Sequence, residues 1–208
     1  MVRTPLNTLL ITADHVLREI EALRQKLDVV VLLGGTSAPP VDVSDWPIIN
    51  HNARIDICII QAPPGFDPTE INKSFYIGEF DRSPIARKDD EALIIGFPRE
   101  HRAASGSIIN TRMLPIIDFV RSVSEERFIV ADEENEREVL LNPFGLKIPE
   151  HMGGASGAPV FRFAPGDQNE LIGIFTGGGD GLHGIYFCTH AKFITNAGVI
   201  DSLQLPPN

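Results

Sequence analysis

Three residues, far apart in the chain, have the types and settings that nucleophilic acyl chemistry requires. Ser156 stands in Met152-Gly153-Gly154-Ala155-Ser156-Gly157-Ala158-Pro159-Val160-Phe161, a glycine-rich turn that feeds an apolar strand. Small neighbours let a carbonyl group approach the hydroxyl, and glycines let backbone N–H groups aim at an oxygen that gains negative charge. A tight strand connection calls for the same residues, so the turn alone does not separate a nucleophile from punctuation. It is not the nucleophile elbow of α/β-hydrolases, which needs Gly two residues after the serine, where this chain has Ala158. His15 follows Leu9-Leu10-Ile11-Thr12-Ala13-Asp14, at the end of an apolar run and the start of a helical pattern. It has the chemistry of a general base, and equally that of a capping or packing residue. Asp56 lies in Arg54-Ile55-Asp56-Ile57-Cys58-Ile59-Ile60, read as a buried strand in which an unpaired carboxylate is costly. An imidazole would satisfy it; so would Arg54, which shares a strand face with it at i and i+2. Nucleophile, base and orienting carboxylate together would carry out acyl transfer.

The elements that must hold these groups are mostly strands. Residues 7–12 read as a strand, and Val16, Leu17, Ile20, Leu23 and Leu27 then recur at helical spacing among charged residues. Residues 29–33, 46–49 and 55–60 are short apolar runs separated by turn residues. The stretch from Ala62 to Asp90 is polar and broken, opening on Pro63-Pro64-Gly65 and ending on Arg87-Lys88-Asp89-Asp90. A domain boundary is expected there, with residues 1–87 as a first unit and 88–208 as a second. Strands resume over 92–97, 107–123, 127–131, 137–141, 158–163, 171–176 and 184–190. The acidic run Asp132–Glu136 reads as a solvated hairpin tip. The closing segment, 191–203, carries Phe193, Ile194, Val199 and Leu203 at loosely helical spacing and is expected to pack a terminal helix on the second unit. Many short strands with few helices indicate an all-β protein built from barrels.

Taken together, Thr12-Ala13-Asp14-His15, Asp56-Ile57-Cys58-Ile59-Ile60 and Gly154-Ala155-Ser156-Gly157-Ala158-Pro159 resemble the three motifs of the chymotrypsin-like (trypsin-like) serine proteases, in that family's chain order. Ile94-Ile95-Gly96-Phe97-Pro98 resembles the opening strand of the family's second barrel, and Leu171–Gly178 its substrate-lining strand. Gly184-Ile185-Tyr186 resembles the wall that closes the specificity pocket. The resemblance implies two six-stranded antiparallel barrels and a serine endopeptidase with His15, Asp56 and Ser156 as its triad. It implies an oxyanion hole from the amides of Gly154 and Ser156, and substrate contacts from Thr176, Gly177, Gly178 and Gly184. By register Glu150 falls near the base of the specificity pocket, where a carboxylate would favour Lys or Arg; an exposed loop Glu is the other reading. The implied partner is a polypeptide substrate, with no cofactor and no metal.

The chain departs from the pattern at three points. Ala155 replaces the Asp that binds a newly released N-terminus in digestive relatives, so the chain is closer to bacterial, disulfide-free trypsin-like peptidases that lack zymogen activation. Val16 stands where relatives carry a cysteine. Only fourteen residues precede His15, so as written the first barrel is expected to be incomplete at its N-terminus; either the start lies upstream, the favoured reading, or the barrel itself lacks strands. A deficient first barrel also leaves open a different function, a binding or regulatory module on a protease fold without turnover.

Composition narrows the classes further. The chain has 208 residues, 43% hydrophobic and 22% charged, with a formal net charge of −10. That charge opposes a phosphate backbone, and the basic residues form no stripe, so nucleic acid is not expected as a partner. Cys58 and Cys188 both sit in apolar runs and read as buried free thiols rather than a disulfide framework. His183, Cys188 and His190 approach a metal spacing, but two of them share one predicted strand. No apolar run reaches the roughly 20 residues of a bilayer span, and no leader is apparent. As written the chain reads as cytoplasmic; an upstream start leaves a secreted or periplasmic location open.

Overall fold

A computed structural model of the protein describes residues 1–34, 39–71, 76–105, 108–131, 152–164, 169–178 and 184–206. The chain divides into two compact units, one of Met1–Asp81 with Ile194–Asp201 and one of Arg82–Phe193 with Ser202–Asn208.

The first unit opens with β1 (Val2–Arg3) and β2 (Thr8–Thr12), followed by α1 (Asp14–Arg24). It continues through β3 (Leu32–Leu33), β4 (Val41–Asp42), β5 (Ile48–Asn52), β6 (Ile57–Gln61) and β7 (Tyr76–Ile77). In β2 every second residue is buried, the period of a strand with one face on a core. α1 carries Asp14 in its first turn and Arg24 in its last, charges that complement the helix dipole, and buries Leu17. Strands β5, β6, β2, β1 and β7 form one open sheet in that order, with β1 and β7 parallel and the other pairs antiparallel. Strands β3 and β4 form a separate hairpin. Beside it Val43, Trp46 and Ala62 make a small core, and the Trp46 and Phe66 rings meet edge to face at 4.9 Å.

The second unit holds β8 (Glu91–Gly96), β9 (Arg102–Ser105), β10 (Ile108–Thr111), β11 (Leu114–Val123), β12 (Arg127–Ala131), β13 (Pro159–Arg162), β14 (Glu170–Gly178) and β15 (Ile185–His190). Six of these close into an antiparallel barrel in the order β11-β12-β15-β14-β13-β8, with β8 pairing both β13 and β11 to complete the ring. Closure leaves no unpaired edge. Its interior is filled by Ile94, Ile116, Phe128, Val160, Ile172, Phe175, Tyr186 and Cys188, all nearly or wholly inaccessible. The segment before β8 is fastened to the barrel by Arg162, whose guanidinium pairs with Asp90 at 3.0 Å and Glu170 at 2.6 Å and donates to the Ile85 carbonyl.

The protein is therefore mostly strand with one closed six-stranded barrel, and among the described residues α1 is its single α-helix. The expected terminal helix is not formed. Ala191–Phe193 and Ser202–Gln204 are short 3-10 turns, and between them Ile194 bridges antiparallel to Ile200. Gly198 at φ +77° makes the intervening reversal, with its amide donating to the Thr195 carbonyl, which a continuous helix does not permit. Nor does the whole segment pack on the second unit: Asn196 donates to Asp81 and accepts from Thr4 and Phe80, joining Ile194–Asp201 to the first. Asp132–Glu136 and the strand expected over 137–141 lie outside the described residues.

Gly173 shows how tightly the barrel closes. A methyl group there would lie 2.5 Å from the Phe128 ring and 2.7 Å from the Thr189 carbonyl oxygen of the neighbouring strand. Gly173→Ala should therefore lower stability by about 1–3 kcal/mol through overpacking. Urea denaturation should show a lower midpoint at unchanged slope, and an unchanged midpoint would contradict this packing.

Candidate active site

Asp56 does not sit in the strand, as the sequence pattern suggested. It occupies the last position of the turn between β5 and β6, with φ +55°, a left-handed conformation that Asp tolerates better than bulky residues do. The turn is shaped by Asn52, whose side-chain oxygen accepts from the amides of Arg54 at 2.9 Å and Ile55 at 3.3 Å. Ile55 and Ile57 on either side of Asp56 are fully buried and anchor it. Both of its carboxylate oxygens then go to one residue: Oδ1 accepts from the His15 amide at 2.8 Å, and Oδ2 meets His15 Nδ1 at 2.7 Å. Backbone and ring are thereby fixed together in the first turn of α1. A carboxylate at Nδ1 selects the tautomer that carries its proton there, and Nε2 becomes the lone-pair acceptor. The His15 side chain is 32% exposed and that of Asp56 14%, so the ring is reachable while the carboxylate is mostly covered.

A second acid–imidazole pair joins the same two elements. Asp14, 1% exposed, meets His51 Nδ1 at 2.9 Å and Arg18 Nε at 2.9 Å, while the His51 and Arg18 side chains remain more than half exposed. Asp14 and His15 open α1; His51 and Asp56 flank the β5–β6 turn. Two reciprocal Asp–His contacts thus cross-link the helix start to the hairpin. The sequence reading passed over this second pair. Its one available signal was a carboxylate adjacent to His15 at the start of a helix, since His51 lies 37 residues away.

Ser156 lies in the second unit, half-buried, in two successive tight turns. The Ala155 amide donates to the Met152 carbonyl at 3.0 Å, and the Ala158 amide to the Ala155 carbonyl at 2.9 Å. Gly154 at φ +87° and Gly157 at φ +90° each take the third place of their turn, where a left-handed residue is required. This is the physical reason for the three-residue spacing of those glycines. Within the first turn the Gly154 amide makes no hydrogen bond among the described residues, and Ser156 occupies the second place of the next turn, where the closing bond does not use its amide. The turn is pinned to β14 by bonds from the Gly157 amide to the Phe175 carbonyl and from the Phe175 amide to the Ala158 carbonyl, both 2.8 Å. Ala155 is buried against Gly96 of β8, and a methyl group on Gly96 would approach its Cβ to 2.9 Å.

The other anticipated contacts fall around β14. Thr176 is buried, its hydroxyl donating to the Phe187 carbonyl at 3.1 Å, at the point where the β14–β15 register slips. Space is open where a Gly177 side chain would be, and Gly178 backs onto the Ile185 carbonyl. Gly184, buried at φ +50°, leads into β15. Glu150 and His183 lie outside the described residues. Among the described residues no three His, Cys, Asp or Glu side chains are placed to hold a metal ion, and no helix is long and apolar enough to cross a membrane.

Comparison of the chain with protein-family models and with curated proteins found no match.

Both cysteines are free and buried. Burial, aided by the negative charges of Asp14 and Glu21, pushes the Cys58 thiol up to about 12, and burial raises Cys188 as well. At pH 8 only about one Cys58 in 10⁴ would be thiolate, the reactive form. Both thiols should resist iodoacetamide in the folded protein at pH 8 and react after denaturation. Rapid labelling of the native chain, read by mass spectrometry, would contradict this burial.

Proposed function

We propose that the chain is a serine endopeptidase of the chymotrypsin-like class, with Ser156 as nucleophile, His15 as general base and Asp56 as the group that orients the base. The observation that carries this reading is the double acceptance by Asp56 of the His15 amide and Nδ1, because it fixes the tautomer that a general base needs. His15 Nε2 takes the proton from Ser156 Oγ as that oxygen attacks the carbonyl of a peptide bond. It then gives the proton to the departing amine, and water repeats the cycle on the acyl-enzyme. The amides of Gly154 and Ser156 receive the oxyanion of the tetrahedral intermediate.

Further support comes from the second unit, whose closed barrel carries the serine turn on Phe175 of β14. Thr176, Gly177, Gly178 and Gly184 line the substrate there, and the open space at Gly177 leaves room for its side chains. The five-stranded sheet of the first unit corresponds in this reading to a partial first barrel of the same class. Ala155, buried against β8, has no place for the charged group that an activation switch would use.

A fluorophosphonate probe tests the assignment. It should label the protein at Ser156, and Ser156→Ala should abolish labelling and lower peptide hydrolysis by about 10⁶-fold without unfolding the chain. A folded wild-type protein that neither labels nor hydrolyses peptides would instead favour a binding module on this fold. Asp56→Asn should keep the left-handed turn, which Asn also tolerates, yet reduce turnover by about 10⁴-fold, because the amide no longer holds the productive tautomer. Turnover close to wild type in this variant would remove Asp56 from the mechanism.

A further inference from the structure

The serine turn is not flanked by neutral groups only. Arg99-Glu100-His101 form a 3-10 turn directly after β8 and before β9, and this segment lies against the residues preceding Ser156. The Arg99 amide donates to the Gly153 carbonyl at 2.7 Å, and Arg102 Nη2 approaches the Gly154 carbonyl oxygen at 3.4 Å. The guanidinium also covers the Cα of Gly154: a methyl group there would lie 2.7 Å from Arg102 Nη2 and 3.3 Å from Cζ. A glycine at position 154 is thus what admits the arginine as well as the turn. The charge is exposed, while the protein as a whole carries −10. Glu100 of the same turn is also exposed, but it is the Arg102 guanidinium that lies on the backbone two residues before the nucleophile.

We infer that Arg102 is a specificity-determining residue, selecting polypeptides with an Asp or Glu side chain close to the scissile bond. This rests on the endopeptidase reading above. A substrate whose carbonyl oxygen meets the Gly154 amide must lay its chain beside that guanidinium. A carboxylate in reach of a partly exposed positive charge gains a few-fold to about a hundredfold in relative rate, depending on how much water separates them. Arg is suited to this role because its planar donors can grip both carboxylate oxygens.

The experiment compares kcat/KM over a peptide library in which each position from three before to three after the cleaved bond is in turn acidic, neutral or basic. In the wild-type protein one position should favour acid over base by roughly tenfold, and that ratio should shrink toward one as salt rises from 0.05 to about 1 M, since screening shortens to about 3 Å. Arg102→Glu should reverse the ratio at the same position, Arg102→Gln should flatten it, and Arg102→Lys should restore part of it. Because each ratio is taken within one variant, a general loss of rate cancels. A wild-type enzyme that turns over peptides with a charge profile unaltered by Arg102→Glu would overturn the inference and leave the endopeptidase reading standing. Absence of both turnover and Ser156 labelling in the wild type would remove the two together.

Discussion

A carboxylate that is mostly covered must find donors for both oxygens, and Asp56 finds them on a single residue. The amide and the ring nitrogen of His15 each meet one of its oxygens, at 2.8 and 2.7 Å, so one carboxylate spans both and ties the first turn of α1 to the β5–β6 turn. The left-handed backbone at Asp56 aims the carboxylate that way, and Asn52 and the two buried isoleucines hold the backbone. Conformational cost in the turn is thereby exchanged for a charge-assisted contact of short length. The imidazole is left with its Nδ1 edge bonded and its ring partly exposed.

The pairing of Asp14 with His51 and Arg18 acts on the same joint. Asp14 is almost fully buried, and removing the partners of a buried carboxylate typically costs about 3–5 kcal/mol. His51 and Arg18 lie at the surface, so they reach the carboxylate from the solvent side while their side chains stay largely hydrated. The helix start is thus held by two carboxylates pointing in opposite senses, one on the helix and one on the hairpin. A slide or twist of α1 that preserved one contact would break the other.

The second unit holds its turn mainly through backbone bonds. Its serine turn is held to the barrel by the carbonyl and amide groups of Phe175 and by Ala155, which packs against Gly96, while the Arg99 amide and the Arg102 guanidinium bond to its first two glycines. A closed barrel shifts little when one strand is pushed, because each strand is paired on both sides. Loop residues that carry chemistry gain their precision from such scaffolds rather than from their own contacts. Arg102 reaches the turn from the start of β9, just past the 3-10 turn that follows β8, so the charge near the serine comes from outside the six barrel strands.

Much of the architecture was legible in local pattern. The apolar run in 7–12, helical spacing after His15, and the apolar runs of β8, β12, β14 and β15 are short-range signals, and the glycine-rich stretch around Ser156 marked a turn. The terminal helix was misread because Phe193, Ile194, Val199 and Leu203 are spaced for a helix, while Gly198 and the Asn196 contacts with Thr4, Phe80 and Asp81 favour a reversal. Those partners lie over 100 residues away, where no local pattern reaches. Asp56 was misplaced for a local reason: a residue between isoleucines reads as strand, while the Asn52 side chain, bonding forward to two amides, favours a turn. The sequence by itself determined which residue types could do chemistry and that the chain is mostly strand. The tertiary structure alone decided that Asp56 grips His15 by two atoms, that Asp14 is paired with His51, and that Arg102 covers Gly154. Each of those contacts depends on the relative placement of backbone segments that are distant in the chain, and that placement is set by the burial and pairing of the elements between them.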